Sequence, residues 1–348
     1  MKHIMNWLII FLIAQLSACS KGGDNSSASV TPTPTPTPTT TVFAKGADIS
    51  WLTQMEASGY KFYNAGGTQQ DCMQLLKDLG MNAMRLRVWV NPTDGWCNTA
   101  DVINKANRIK ALGLKLMIDF HYSDWWADPG KQNKPAAWNG QNINQLQTSV
   151  YNHTYSVLNS LKSNNIIPDW VQVGNETNDG MLWSEGKAST NMANFAALVN
   201  SGYNAVKAID STIKVIVHIS NGYDNSLFRW MFDGLKTNNA KWDVIGMSLY
   251  PSTTNYSDLN NQCLANMNDM VSRYGKEIMI CEVGMSWDQP TASKNFITDL
   301  ISKVKSVTDN KGLGVFYWEP ECYNNWQGYS LGAFDNSGKP TAALDAFK

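Results

Sequence analysis

Trp170-Val171-Gln172-Val173-Gly174-Asn175-Glu176 is a short apolar, β-branched run that ends in a polar pair. It reads as a buried strand that delivers Asn175 and Glu176 at its carboxyl end. Glu277-Ile278-Met279-Ile280-Cys281-Glu282 repeats the arrangement later in the chain. Two carboxyls carried at the ends of two apolar strands are the raw material of paired-carboxylate chemistry, for which glycoside hydrolysis is the commonest setting.

Six further runs of the same kind flank these two: 45–50, 82–90, 115–121, 213–220, 243–250 and 312–318. Stretches with apolar residues three and four apart lie between them, at 71–79, 100–112, 146–163, 192–209 and 291–307, as in amphipathic helices. Gly80, Gly113 and Gly275 stand where helix-closing glycines belong. Eight strand–helix alternations with near-continuous apolar strands predict a parallel sheet closed into a (β/α)8 TIM barrel. The alternative is an open doubly wound sheet. No glycine-rich phosphate loop follows the first strand, which weakens the nucleotide-binding form of that alternative.

In such a barrel the chemistry sits at the carboxyl ends of the strands. Polar residues gather there: Asp48, Arg85 with Arg87, the segment Asp119-Phe120-His121-Tyr122-Ser123-Asp124, Asn175-Glu176, His218, Tyr250, Glu282 and Trp318-Glu319. Glu176 in a dry, aromatic pocket is cast as general acid and base, and Glu282 as nucleophile. Arg85 or His121 would keep Glu282 ionised, and Tyr250 would orient it by a phenolic hydrogen bond. The Asn175 amide is suited to a sugar hydroxyl. His121 and His218 are cast as hydroxyl binders or as supports for the carboxylates. Trp126, Trp183, Trp287 and Trp318 follow strand ends and suit sugar stacking, whereas Trp51 and Trp89 read equally as core. A lone histidine with scattered aspartates is not a metal-ligand set, so no metal is assigned.

The chain has 348 residues, 43% of them hydrophobic, with 28 Lys and Arg against 29 Asp and Glu. That is ample for one barrel domain, and no basic stripe marks a nucleic-acid partner. Residues 1–18 combine a basic start with an apolar run from Trp7 to Leu16, too short for a permanent span. The run closes Leu16-Ser17-Ala18-Cys19, like a bacterial lipoprotein cleavage site with Cys19 as the acylated residue. Residues 19–41 are a Ser, Thr and Pro tether whose Thr-Pro alternation favours extended polyproline II. The catalytic domain is then 42–348, on an exported, membrane-anchored monomer at the outer membrane or cell surface. Five cysteines remain, and Cys72 with Cys97, or Cys263 with Cys281, stay open as pairings.

The chain resembles the glycoside hydrolases of family 53, the endo-β-1,4-galactanases. The resemblance rests on Lys45-Gly46-Ala47-Asp48-Ile49-Ser50, Arg85-Leu86-Arg87-Val88-Trp89-Val90-Asn91-Pro92, Gly174-Asn175-Glu176, Gly180-Met181-Leu182-Trp183 and Tyr317-Trp318-Glu319-Pro320. The stretch His121-Tyr122-Ser123-Asp124-Trp125-Trp126-Ala127-Asp128-Pro129 is the most specific. The resemblance implies a retaining barrel enzyme with Glu176 as acid/base and Glu282 as nucleophile, and Arg85, His121, Asn175 and Tyr250 around the reacting sugar. It implies as partners β-1,4-galactan and its oligosaccharides, from the side chains of pectic type I arabinogalactan. Two stretches depart from the family pattern: Glu282-Val283-Gly284-Met285-Ser286-Trp287 and His218-Ile219-Ser220-Asn221-Gly222-Tyr223. Both lie near the cleft and bear on subsite preference. No cofactor is required. A structural calcium, known in some relatives, has only Asp335-Asn336-Ser337 to offer and is not indicated. The alternatives are another β-1,4-glycan hydrolase, such as a mannanase or glucanase, and a non-catalytic surface glycan-binding protein.

Overall fold

The structure, a computed structural model, describes residues 42–348. The signal, Cys19 and tether expected at 1–41 lie outside the described residues. Eight parallel strands close into a barrel in sequence order, β1 pairing with both β2 and β8. They are β1 Ala44–Asp48, β2 Ala83–Val88, β3 Lys115–Phe120, β4 Trp170–Val173, β5 Lys214–Ile219, β6 Val244–Leu249, β7 Glu277–Val283 and β8 Gly312–Trp318. Every expected strand is present, and the closed sheet excludes the doubly wound alternative.

Helices α1 Leu52–Ala57, α2 Cys72–Asp78, α3 Thr99–Ala111, α4 Ile143–Ser163, α5 Met192–Ile209, α6 Asn225–Thr237, α7 Tyr256–Tyr274 and α8 Pro290–Lys305 surround it. Three of them, α1, α6 and α7, go beyond the five expected from periodicity. Helix α1 has only six residues. Helix α6 has aromatic residues on both faces, with Phe228 buried and Trp230 43% exposed, which blurs its stripe. The stripe of α7 is interrupted by two buried asparagines. Asn260 donates to the Phe296 carbonyl and Asn266 to that of Gly222. The glycine stops hold: Gly275 closes α7 at φ 65°, and Gly80 and Gly113 follow α2 and α3 with φ of 99° and 68°.

Side chains alternate between two cores, as the pleat requires. Outward residues such as Leu86, Ile118 and Val217 pack under the helices. Inward residues Ala44, Ala83, Met117, Trp170, Ile216, Met279, Cys281 and Phe316 fill the barrel. Gly46 makes room for this filling, since a Cβ there would stand 2.2 Å from the Phe316 ring. Gly46→Ala is expected to cost about 1–3 kcal/mol through overpacking, read as a lower urea midpoint at unchanged slope.

The two cores also correct the cysteine pairings. All five described cysteines are free and buried. Cys281 points into the barrel, whereas Cys263 belongs to the outer core between helix and sheet. Cys97 directs its thiol to the Ser50 carbonyl.

Candidate active site

The carboxyl end of β4 is shaped by its backbone. Gly174 takes φ 89°, and a Cβ there would meet the Thr177 side chain at 2.6 Å. Glu176 follows with φ 43°, a left-handed conformation that costs a residue with a side chain free energy. These two bends end the strand and turn Asn175 and Glu176 to the barrel mouth. At β7 a bulge does the same task. Met247 pairs with Ile280, but Ser248 pairs with Glu282, so Cys281 is the extra residue. Strict alternation would send Glu282 outward after inward Cys281. The bulge turns both inward, as bulges beside active sites do.

Arg85 lies at the centre of the mouth and is fully buried. Its Nε donates to Gln172 Oε1 at 2.7 Å, and its Nη1 to Asp48 at 2.6 Å. Its Nη2 reaches Asp119 at 2.9 Å, Glu282 Oε1 at 2.9 Å and Asn175 Oδ1 at 3.0 Å. Three carboxylates thus share one guanidinium. Glu282 takes its other bond from the Tyr250 hydroxyl, at 2.9 Å from Oε2. Burial raises Asp119, but Arg85 and His121 outweigh it and hold its carboxyl below the usual range.

Burial pushes the half-buried Glu176 carboxyl up to about 7, against some relief from the Ser248 hydroxyl. Burial also raises Glu282, Arg85 opposes the rise, and the Glu176 charge adds to it. Such a pair takes up one proton between its members. Glu282 accepts from a cation and a phenol, both of which favour its charged form. We therefore place the proton on Glu176.

The remaining expected residues divide into three groups. Trp126, Trp318, Asn175 and His121 join Glu176, Glu282 and Tyr250 around a cavity of about 280 Å³. Asn175 gives one amide hydrogen to the Ala127 carbonyl, and the other is left for a ligand. His121 accepts the Ala127 amide and the Trp89 indole N–H on Nδ1, which leaves Nε2 to donate to Asp119 at 3.0 Å. Asp48 and His218 are fully buried and act through other side chains. His218 is held neutral, its pKa lowered to about 3 by burial and by Arg85. It bonds Gln172 through Nδ1 and Ser248 through Nε2.

Asp124 and Trp287 are not brought to this cavity. Asp124 is spent on the loops, accepting the Asn91 and Ala136 amides. Trp287 is fixed by its backbone to Ser330 and is 36% exposed. Trp183 likewise lines neither this cavity nor the next. Its indole donates to the Asp179 carbonyl, under the ammonium of Lys187. Trp51, read as ambiguous, does line a second cavity of about 410 Å³, with Trp125, Trp126, Trp318 and Tyr329. Trp126 and Trp318 are common to both, so the two form one aromatic cleft. Asp119 was placed at the mouth but given no role, and Gln172 and Ser248 were missed as site residues. A glutamine between two valines in a buried strand is itself a signal. No group of three or more metal-ligating side chains is found among the described residues.

A cleft walled by indoles, with two carboxyls at its base, suits a chain of sugar rings, and a barrel that carries it is a glycoside hydrolase. The sequence model of Glycosyl hydrolase family 53 matches residues 44–347. The probable arabinogalactan endo-beta-1,4-galactanase A of Neosartorya fischeri is 35% identical over 305 residues, 81% of this chain and 85% of that protein. The arabinogalactan endo-beta-1,4-galactanase of Humicola insolens is 34% identical over 331 residues, 87% of this chain and 98% of that protein. A fungal beta-1,4-galactanase structure superposes with a TM-score of 0.80 at 32% identity, over 87% of this chain and 98% of that one. The chain belongs to glycosyl hydrolase family 53.

Proposed function

We propose that this enzyme is an endo-β-1,4-galactanase that cuts the galactan side chains of pectin with retention at the anomeric carbon. The observation that carries the mechanism is the asymmetric bonding of the two carboxyls: Glu282 is bonded to Arg85 and Tyr250, whereas among the described residues no cation is ion-paired with Glu176. A carboxylate oxygen of Glu282 attacks the anomeric carbon as Glu176 protonates the departing glycosidic oxygen. The galactosyl–Glu282 ester then yields to a water that Glu176, now charged, deprotonates. Two inversions give net retention. Galactan as the substrate is supported by the named relatives in the family, the sequence of residues 1–41 supports export and anchoring through Cys19, and nothing in either reading calls for a cofactor.

The test is hydrolysis of linear β-1,4-galactan, mannan and glucan, with the fresh reducing end followed by proton NMR. Galactan is expected to be cut internally, with the β-anomer appearing first and mutarotating later. First appearance of the α-anomer would sink the double displacement. Turnover of mannan or glucan in place of galactan would sink the substrate assignment. Binding of oligosaccharide without turnover would make the domain a glycan-binding protein.

A further inference from the structure

Arg87 has no part in the chemistry above, yet it is buried at the mouth with a side chain 1% exposed. Its Nη1 is ion-paired with Glu319, while Nε and Nη2 have no hydrogen-bond partner. An unpartnered buried donor is costly unless something else receives it. Here three indoles surround the guanidinium: Trp126 at 4.2 Å, Trp51 at 4.9 Å and Trp89 at 5.0 Å. The guanidinium therefore sits among aromatic rings, which attract a cation and accept weakly from its donors. Glu319 extends the arrangement, since its Oε2 accepts the backbone N–H of Trp51 at 3.1 Å. Trp318, the residue before Glu319, meets Trp51 and Trp126 edge-on at 5.4 and 5.8 Å.

The neighbouring Glu321 is fully buried, and burial, with the Glu319 charge adding to it, raises its carboxyl well above the usual range. Glu319 is the ion-pair partner of Arg87. The cluster is thus a closed ion pair under a tryptophan wall, and Trp126 and Trp51 present that wall to the cleft.

We propose that Arg87 is a positioning residue for sugar binding: it clamps Trp51, Trp89 and Trp126 in one orientation, so that sugars beyond the cleaved bond meet a rigid stacking surface. The proposal rests on the galactanase reading for its substrate. Burial beneath the rings keeps Arg87 from touching sugar. Lysine would keep the charge but lose the flat fork that lies against three rings at once.

Two changes test the clamp. Arg87→Lys retains the charge. Arg87→Met combined with Glu319→Gln removes both charges, so no buried ion is stranded. Each is compared with wild type on long β-1,4-galactan and on a chromogenic galactobioside, with thermal unfolding as a check on folding. KM for the long chain is expected to rise about tenfold, about 1.4 kcal/mol, with kcat changed less than about threefold. The short substrate is expected to be spared and tryptophan emission to shift. In a Trp126→Ala background, Arg87→Lys is expected to add nothing to KM. The proposal is overturned by an unchanged long-chain KM, by equal losses on both substrates, or by additive effects with Trp126→Ala. If wild type itself ignores galactan, the substrate reading fails instead. The same KM comparison is then made on the glycan that it does cut.

Discussion

Glu282→Ala is expected to lower galactan turnover by about four orders of magnitude or more, with the fold intact. The size follows from covalent catalysis: without the attacking carboxylate no galactosyl ester forms, and the residual rate comes from binding and acid catalysis alone. Fold is retained because the change relieves a crowded charge balance. Arg85 keeps Asp48 and Asp119 as partners. Azide supplies the identifying product. Added to Glu282→Ala it enters from the vacated face and gives the α-galactosyl azide. A β-azide, or a loss below about tenfold, would remove Glu282 from the nucleophile's role.

Glu176→Ala is expected to lower galactan turnover by about two to four orders of magnitude, the usual span for general acid catalysis. The loss is selective. An aryl galactobioside with an acidic phenol needs no proton to depart, so its first step is nearly spared and azide then gives the β-galactosyl azide. The wild-type pH profile carries the same signature. Burial raises the acid to about 7 from the ordinary 4.5, so kcat/KM is expected to fall about tenfold per unit above pH 7. Glu176→Ala loses that alkaline limb on the activated substrate. The sign for stability is the same: the native state holds this proton more tightly than the unfolded chain. Its contribution is therefore complete below about 4.5 and lost as pH rises through about 7. An alkaline limb that survives in Glu176→Ala would assign it to another group.

The order of elements and the polar strand ends were legible in the chain because each is a local signal. Lys115 to Phe120 is apolar enough to be a strand wherever it lies, and Asn175-Glu176 ends its run whatever the partner strands do. Specific motifs such as His121 to Pro129 carried the family reading for the same reason. Aromatic placement was less legible. Following a strand end puts Trp126 and Trp287 on equal terms, yet only Trp126 lines the cleft. Loop paths decide that, and they are set by contacts such as Trp287 to Ser330 or Asn91 to Asp124, which join residues far apart in sequence.

The charge balance depended on tertiary structure still more. By itself the sequence determined that eight buried strands would alternate with helices and that two carboxyls would reach one mouth. It did so through periodicity and composition, which act over a few residues. Only the closed barrel decided which carboxyl is charged. The bulge at Cys281 turns Glu282 inward onto Arg85, the left-handed turn at Glu176 leaves that group without a cation partner, and proximity makes the two share a proton. A pKa is a property of surroundings in three dimensions, and no spacing along the chain encodes the distance between a strand-four carboxyl and a strand-two guanidinium.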